Sequence, residues 1–176
     1  AHGPAVGLPS EDDMGNSEVG HNALGAGRVF AQGAKLVNES IASGAIFKSD
    51  LWRKIVAAGK EGKTIHFIGL FSDGNVHSHI DQLYALVDEC VKNEIKHVRL
   101  HTLLDGRDVG EKSALNYIEP AEKKLAEISS SKNLDYRIAS GGGRMKVTMD
   151  RYNADWNIVK RGWDAHVNGI GRKFKS

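Results

Sequence analysis

The apolar positions of this sequence follow two patterns, one typical of strands and one typical of helices. Residues 64–71 form a compact run of apolar side chains that is typical of a buried strand. Apolar side chains then recur at the spacing of a helix, at Ile80, Leu83, Tyr84, Val87 and Val91. The pattern predicts one strand, a loop and a helix over residues 64–91.

The same order of elements returns towards the carboxyl end. Residues 97–104 are expected to form a second strand, which precedes a helical stripe of Leu115, Ile118, Leu125 and Ile128. Pro120 interrupts that stripe and should kink or restart the helix. Residues 136–139 predict a short third strand. A last helix would place in the core a stripe of Tyr152, Trp156, Val159, Trp163 and Val167.

Two further helical segments are expected before the first strand. Residues 1–16 contain Gly, Pro, Asp and Asn without an apolar period, which indicates loop and turn. Ser17 opens a weakly amphipathic helical stretch that reaches about Gly33. Ser49 is a good N-cap for a short helix that should end at Gly59.

Alternating strands and helices favour an α/β fold with a parallel sheet and helices on both faces, because parallel neighbours need crossover connections. Ligands of such sheets bind beyond the carboxyl ends of the strands. Polar residues at those ends are therefore the candidates for a functional site.

Composition excludes several classes of protein. The chain is 40% hydrophobic and 26% charged with a formal net charge of +2, and Cys90 cannot form an internal disulfide because it is the only cysteine. No stretch approaches the ~20 apolar residues of a membrane span, and the basic residues are scattered rather than clustered as in a nucleic-acid arm. We expect a soluble, cytoplasmic protein without a membrane or nucleic-acid partner. The opening Ala-His-Gly-Pro is typical of a loop within a protein, so we expect a longer natural chain.

Three polar clusters follow the three predicted strands, at residues 72–79, 105–108 and 140–144. The last two contain Arg107 and Arg144, and Arg supplies a planar fork of donors that matches phosphate or carboxylate. The triple glycine of the third cluster would let backbone N–H groups approach an anion. Together the clusters predict a pocket for a small anionic ligand.

Structural explanations exist for each cluster taken alone. Asp105-Gly106 suits a turn, and His79 and Asp108 could cap helices. Arg151 would begin the last helix, where a surface Arg is common. His77 and His79, two apart on an extended strand, could instead share a metal in a hydrolase, although such a site needs further ligands. A non-catalytic anion-binding module is a third alternative.

Ser17 lies at the start of a predicted helix within Met14-Gly15-Asn16-Ser17-Glu18-Val19-Gly20-His21-Asn22. A plain N-cap explains a serine at this position. As a nucleophile, Ser17 would need more than the helix dipole to activate it, and coordination to a divalent metal would suffice.

Together the motifs resemble the cofactor-independent phosphoglycerate mutases, and the resemblance spans nearly the whole chain. It rests on residues 8–28, including Leu8-Pro9-Ser10-Glu11-Asp12-Asp13, and on residues 72–79, 105–109 and 141–151. The family implies two domains. Residues 1–33 would be part of an alkaline-phosphatase-like metal-binding domain, and residues 34–176 an inserted α/β phosphotransferase domain, incomplete at its carboxyl end, with a hinge near residues 32–37.

The resemblance also implies a reaction. Ser17 would take the phosphoryl group of 3-phosphoglycerate as a phosphoserine and return it to the 2-hydroxyl, without 2,3-bisphosphoglycerate, as in glycolysis and gluconeogenesis. The implied substrate-binding residues, of which Asp108 is also a candidate general acid or base, are His77, Arg107, Asp108, Arg144 and Arg151. Small-molecule phosphoglycerates would be its only partners, and a monomer is expected.

Two divalent ions are implied as well, with Mn²⁺ expected and Mg²⁺ or Co²⁺ as alternatives. Ser17 is the one implied metal ligand that this sequence contains, because the family's other Asp and His ligands, an arginine pair and a lysine have no counterpart in it. Two further departures are an extra residue between Arg144 and Arg151 and Asn75 in place of a usual glycine. We expect the chain by itself to be inactive.

Overall fold

A computed structural model describes residues 2–149 and 155–174. The described α-helices are α1 (Ser17–Ala26), α2 (Gly33–Ala42), α3 (Asp50–Lys60), α4 (Ile80–Lys92), α5 (Ala114–Lys132) and α6 (Trp156–His166). The strands are β1 (Ile65–Phe71), β2 (His97–Leu104) and β3 (Asp135–Gly143), and short 3-10 helices cover Gly3–Val6 and Ile46–Lys48.

The three strands form one parallel sheet in the order β1-β2-β3. Ile65 of β1 is level with Val98 of β2, which in turn is level with Tyr136 of β3. Helices α4 and α5 are the crossover connections that this parallel order requires. The predicted α/β fold with a parallel sheet is confirmed.

One face of the sheet carries the main core. Alternate strand residues point into it and pack with α3, α4 and α5, and its buried members include Trp52, Phe71, Val87, Cys90, Ile95, Val98, Leu100, Leu125, Tyr136 and Ile138. On the opposite face Ile68 is 58% exposed, and Arg137 is also exposed. Helix α6 reaches that face through His166, which contacts Ser140. The prediction placed helices on both faces of the sheet. In the structure, three helices cover one face, whereas α6 covers only part of the other.

Strand β3 is longer than predicted, so most of the third polar cluster lies within the strand and not after it. Ser140 to Gly143 lie within the strand and pair with β2, so only Arg144 follows it. A Cβ on Gly141 would lie 2.6 Å from Thr102 Oγ1, and a Cβ on Gly142 2.8 Å from Val147 Cγ2. Gly141 and Gly142 allow close packing within the strand, and the prediction that a loop begins at Ser140 is wrong.

Pro120 does not restart a helix, and α3 ends one residue later than predicted. Pro120 lies inside a continuous α5, where it is exposed, so water can satisfy the carbonyl that loses its helical partner. Helix α3 begins after the predicted cap, since Ser49 Oγ accepts from Trp52 N at 3.1 Å, but it continues past Gly59. Gly59 is instead a contact point, where a Cβ would meet Ile95 at 2.9 Å.

The apolar stripe of the last helix is not core. Trp156, Trp163 and Val167 are 65%, 61% and 60% exposed, respectively. The packed side of α6 is instead Gly162, where a Cβ would lie 2.5 Å from the Cα of Thr148. Tyr152 lies outside the described residues.

The amino-terminal segment has a small core of its own. Val6, Leu8 and Val19 are buried together beside Ala23, separate from the main core. Gln32 joins its parts, because its Nε2 donates to Val6 O at 2.9 Å and to Val19 O at 3.2 Å. Helix α1 ends earlier than predicted, at Ala26, with Gly27 in the left-handed region at φ 62°.

Among the described residues, no helix has the length and apolar composition needed to cross a membrane.

Candidate active site

A cleft of about 550 Å³ opens at the carboxyl ends of the strands, a size typical of small-ligand sites. Its lining combines residues of the amino-terminal segment with residues that follow all three strands: Asn16, Ser17, Glu18, Val76, His77, Arg107, Asp108, Arg144, Met145 and Met149. The structure thus brings five of the six candidate site residues together. Arg151, the sixth, lies outside the described residues.

Arg144 is held at the base of the cleft by two carboxylates. Its Nη1 donates to Asp105 Oδ1 at 2.9 Å and to Asp108 Oδ2 at 2.6 Å, and its side chain is only 5% exposed. Burial alone would lower the pKa of this guanidinium, but the hydrogen bonds to the two aspartates outweigh it and raise the pKa. Arg144 therefore remains charged in a buried position.

The buried guanidinium of Arg144 is not fully hydrogen-bonded among the described residues. Its Nε is buried without a hydrogen-bond partner in the described part of the chain. An unsatisfied charged donor is costly unless a ligand or water completes its bonds. Arg107 and His77 are exposed at the same cleft, where an anion can reach them.

Asp105 organises the cleft. Its place in the second polar cluster predicted a turn but no role at the site. Its carboxylate accepts from Ser72 Oγ at 2.6 Å, Arg107 N at 3.1 Å and Asp108 N at 3.0 Å, besides Arg144. Burial opposes ionisation, but these hydrogen bonds outweigh it and lower the pKa of Asp105. The available signal was an aspartate followed by a glycine and two backbone donors, those of Arg107 and Asp108, and the predicted turn is real, with Gly106 at φ 75°.

Ser17 is the first residue of α1, and the plain N-cap explanation for it is wrong. Asn16 is the cap, because its Oδ1 accepts from Val19 N at 3.0 Å. The Ser17 side chain is consequently exposed and lines the cleft at the amino end of a helix. Unpaired N–H groups and the helix dipole favour an anion at such a position.

His21 does not activate Ser17 as a base in this geometry. Its Nδ1 lies 2.6 Å from Ser17 O and 3.1 Å from Ser17 Oγ. A carbonyl only accepts hydrogen bonds, so this nitrogen carries a proton and cannot take the one from the hydroxyl.

The arrangement expected for a shared metal at His77 and His79 is not formed. Strand β1 ends at Phe71, so the two histidines are not on an extended strand. His79 is the N-cap of α4 and accepts from Asp81 N at 3.1 Å, which confirms its capping role. Asp108 pairs with Arg144 and caps no described helix, since Ser113 precedes α5. Over residues 2–149 and 155–174, no group of three or more His, Cys, Asp or Glu could hold a metal.

Comparisons with known proteins agree with one another. A family model described as the BPG-independent PGAM N-terminus matches residues 37–176. A probable 2,3-bisphosphoglycerate-independent phosphoglycerate mutase of Leptospira interrogans is 59% identical over 177 residues, which cover 100% of this chain and 32% of that protein. The Zea mays 2,3-bisphosphoglycerate-independent phosphoglycerate mutase is 57% identical, with 100% and 31% covered.

A solved structure extends the match to the fold. The crystal structure of Leishmania mexicana phosphoglycerate mutase at low cobalt concentration aligns with a TM-score of 0.92 and 54% identity, covering 99% of this chain and 32% of that one. This chain spans about a third of the length of the relatives that it matches. On the family match and the shared fold, the chain belongs to the 2,3-bisphosphoglycerate-independent phosphoglycerate mutases.

Proposed function

We propose that this chain supplies the nucleophilic serine and most of the phosphoglycerate pocket of an enzyme that interconverts 3-phosphoglycerate and 2-phosphoglycerate. One observation carries the proposal: Ser17 lines the same cleft as Arg107 and Arg144. By family membership, the enzyme would act in the cytoplasm, in glycolysis and gluconeogenesis, as a monomer.

The charges of the cleft suit such a substrate. Phosphoglycerate carries a phosphate and a carboxylate, and each matches the planar fork of an arginine. Arg144 lines the cleft and its Nε has no partner among the described residues, and Arg107 and His77 are accessible beside it. The amino end of α1 adds N–H groups that favour the phosphoryl group next to Ser17.

The transfer would proceed through a phosphoserine. Ser17 Oγ would form a bond to phosphorus and lose its proton, while the bond from phosphorus to the substrate's 3-oxygen breaks and that oxygen gains a proton. After the glycerate reorients, its 2-hydroxyl would attack the phosphoserine and release Ser17. Asp108, which lines the cleft and is hydrogen-bonded to Arg144, is our candidate for exchanging the glycerate protons.

A metal site is implied by the family, and the Leishmania mexicana relative was crystallised with cobalt. The described residues do not fit it by themselves, because they contain no group of three ligands. We propose Ser17 as the one ligand from this chain to a pair of divalent ions, Mn²⁺, Mg²⁺ or Co²⁺, and derive no step through them.

We propose further that residues 1–33 and 34–176 belong to two domains, the first of the alkaline-phosphatase type. The separate small core of Val6, Leu8 and Val19 supports this division. A hinge would lie near residues 32–37, where Gln32 precedes α2.

Phosphoserine formation tests the proposal. The full-length natural protein, incubated with 3-phosphoglycerate and Mn²⁺, should gain one phosphoryl group that maps to Ser17 by mass spectrometry. Ser17→Ala should abolish both the adduct and turnover. Ser130→Ala, which changes an exposed serine of α5 that bonds only Glu127 O, should leave both intact. Binding of 3-phosphoglycerate without any adduct would favour the anion-binding module instead.

A further inference from the structure

The amino-terminal segment, residues 2–32, and the part of the chain that contains the sheet, residues 44–149, contact each other through very few polar groups. Between residues 2–32 and residues 44–149, the structure contains one hydrogen bond and no ion pair: Asn75 Nδ2 donates to Asp13 Oδ1. Asn75 belongs to the loop after β1, and Asp13 precedes α1. A single side-chain pair thus connects the two sides by hydrogen bonding.

Both partners are prepared for this contact. Asp13 is only 9% exposed, and its other oxygen accepts from Ser10 N at 2.7 Å and Ser10 Oγ at 2.9 Å. Asn75 has φ 55°, a left-handed conformation that Asn adopts more readily than most residues. The local conformation on each side therefore suits the contact between the two side chains.

The pair lies close in sequence to the groups that would react. Asp13 is four residues before Ser17, and Asn75 is two residues before His77. Moving Asp13 away from Asn75 would move the amino end of α1 relative to the arginines. A misplacement of about 1 Å between reacting groups can slow a reaction about 100-fold.

We infer that Asn75, which stands where the family usually has a glycine, is a positioning residue particular to this chain: it holds Ser17, through Asp13, at transfer distance from a phosphoryl group bound by Arg107 and Arg144. This inference rests on the proposed function. Asn75 itself would not contact the reacting atoms.

Asn75→Gly is the main test, because glycine tolerates φ 55° and the change removes only the side chain. In the full-length protein, we expect the rate of Ser17 phosphorylation by 3-phosphoglycerate, measured by rapid quench, to fall roughly 10- to 100-fold. Affinity for 3-phosphoglycerate, measured by calorimetry with Ser17→Ala present, should change less than about twofold, since the arginines remain in place.

Exchange of the two side chains provides a rescue. Asn75→Asp alone places two carboxylates together and should slow phosphorylation at least as much as Asn75→Gly. Combining it with Asp13→Asn restores a donor facing an acceptor, with the roles reversed, and should recover most of the rate. Asn133→Gly is the matched control, because Asn133 has φ 53° at the end of α5, away from the cleft lining, and the rate should be unchanged.

The outcomes separate this inference from the proposed function. If the unsubstituted protein forms no phosphoserine, the proposed function fails. If it forms phosphoserine and Asn75→Gly reacts at the same rate, or loses affinity as strongly as rate, or the exchanged pair recovers nothing, the positioning role of Asn75 is overturned.

Discussion

Arg144 combines three properties at a single residue: it is buried, it is charged, and it retains an unpartnered donor. Asp105 and Asp108 compensate its charge, while its Nε has no partner among the described residues. Two consequences can be measured separately, one for ligand binding and one for stability.

Arg144→Lys should weaken binding of 3-phosphoglycerate by about tenfold, or 1.4 kcal/mol, because an ammonium group retains the charge but not the planar fork. Calorimetry on the full-length protein carrying Ser17→Ala would measure this. Arg137→Lys, at an exposed residue of β3 that pairs with Asp135, should bind normally. Equal affinities in the two variants would remove Arg144 from the pocket.

Asp105→Ala should lower the free energy of unfolding by about 3–5 kcal/mol, since it leaves Arg144 buried beside a single carboxylate and deprives three other donors of their acceptor. Urea denaturation is the measurement. Asp50→Ala, whose side chain is 86% exposed in a pair with Arg53, should cost less than about 1 kcal/mol. Similar losses would show that Asp105 is not the organising residue.

At the scale of elements, α6 is joined to the sheet by polar contacts rather than by its tryptophans. His166 Nδ1 lies 2.7 Å from Ser140 Oγ, which is 2.6 Å from His101 Nδ1, and His166 Nε2 lies 2.9 Å from Thr148 Oγ1. Thr148 is a β-branched residue at φ 85°, a strained conformation that these contacts maintain. Because Met149 follows Thr148 directly and lines the cleft together with Met145, this docking also shapes the pocket wall.

This connection predicts a dependence of stability on pH. Burial lowers the pKa of His166 and, together with the neighbouring His66 and His166, that of His101. The unfolded chain therefore takes up protons from about pH 6.5 downward before the folded state does. The free energy of unfolding should fall as the pH drops through this range, and His166→Ala should make that fall shallower. His2→Ala is the control, and an unchanged slope in His166→Ala would contradict the prediction.

At the scale of the molecule, the cleft unites two parts of the chain that carry different chemistry. Ser17, the proposed nucleophile, lies beside the small core of the amino-terminal segment, whereas Arg107 and Arg144, the proposed anion-binding side chains, follow strands β2 and β3. The described residues lack a complete metal site, and the chain spans about a third of its relatives. Binding and catalysis should therefore separate when this chain is made alone.

The 176-residue chain with Mn²⁺ should show no mutase activity above that of its own Ser17→Ala variant, because residues 2–149 and 155–174 contain no group of ligands that could hold an activating metal. The full-length protein should be active in the same coupled assay. Turnover by the short chain that disappears with Ser17→Ala would contradict this expectation.

Much of the fold could be predicted because the spacing of apolar residues directly indicates whether a segment is a helix or a strand. The predicted bounds of β2 match those in the structure. The parallel order of the strands also predicted that Arg107 and Arg144 lie at the same edge of the sheet. The errors arose where a local rule competed with packing. Gly59 and Gly142 have the residue type of a helix stop and a loop, but each allows a close approach of another side chain, and Gly142 lies within β3.

The sequence by itself determined the alternation of strands and helices, the family, and the set of side chains able to bind an anion, since these depend on residue type, order and spacing. Only the tertiary structure decided that Asn16 rather than Ser17 caps α1, that Asp105 connects Ser72, Asp108 and Arg144, and that Asn75 meets Asp13. Those contacts join residues separated by up to 62 positions, and no periodicity in the chain encodes such a distance.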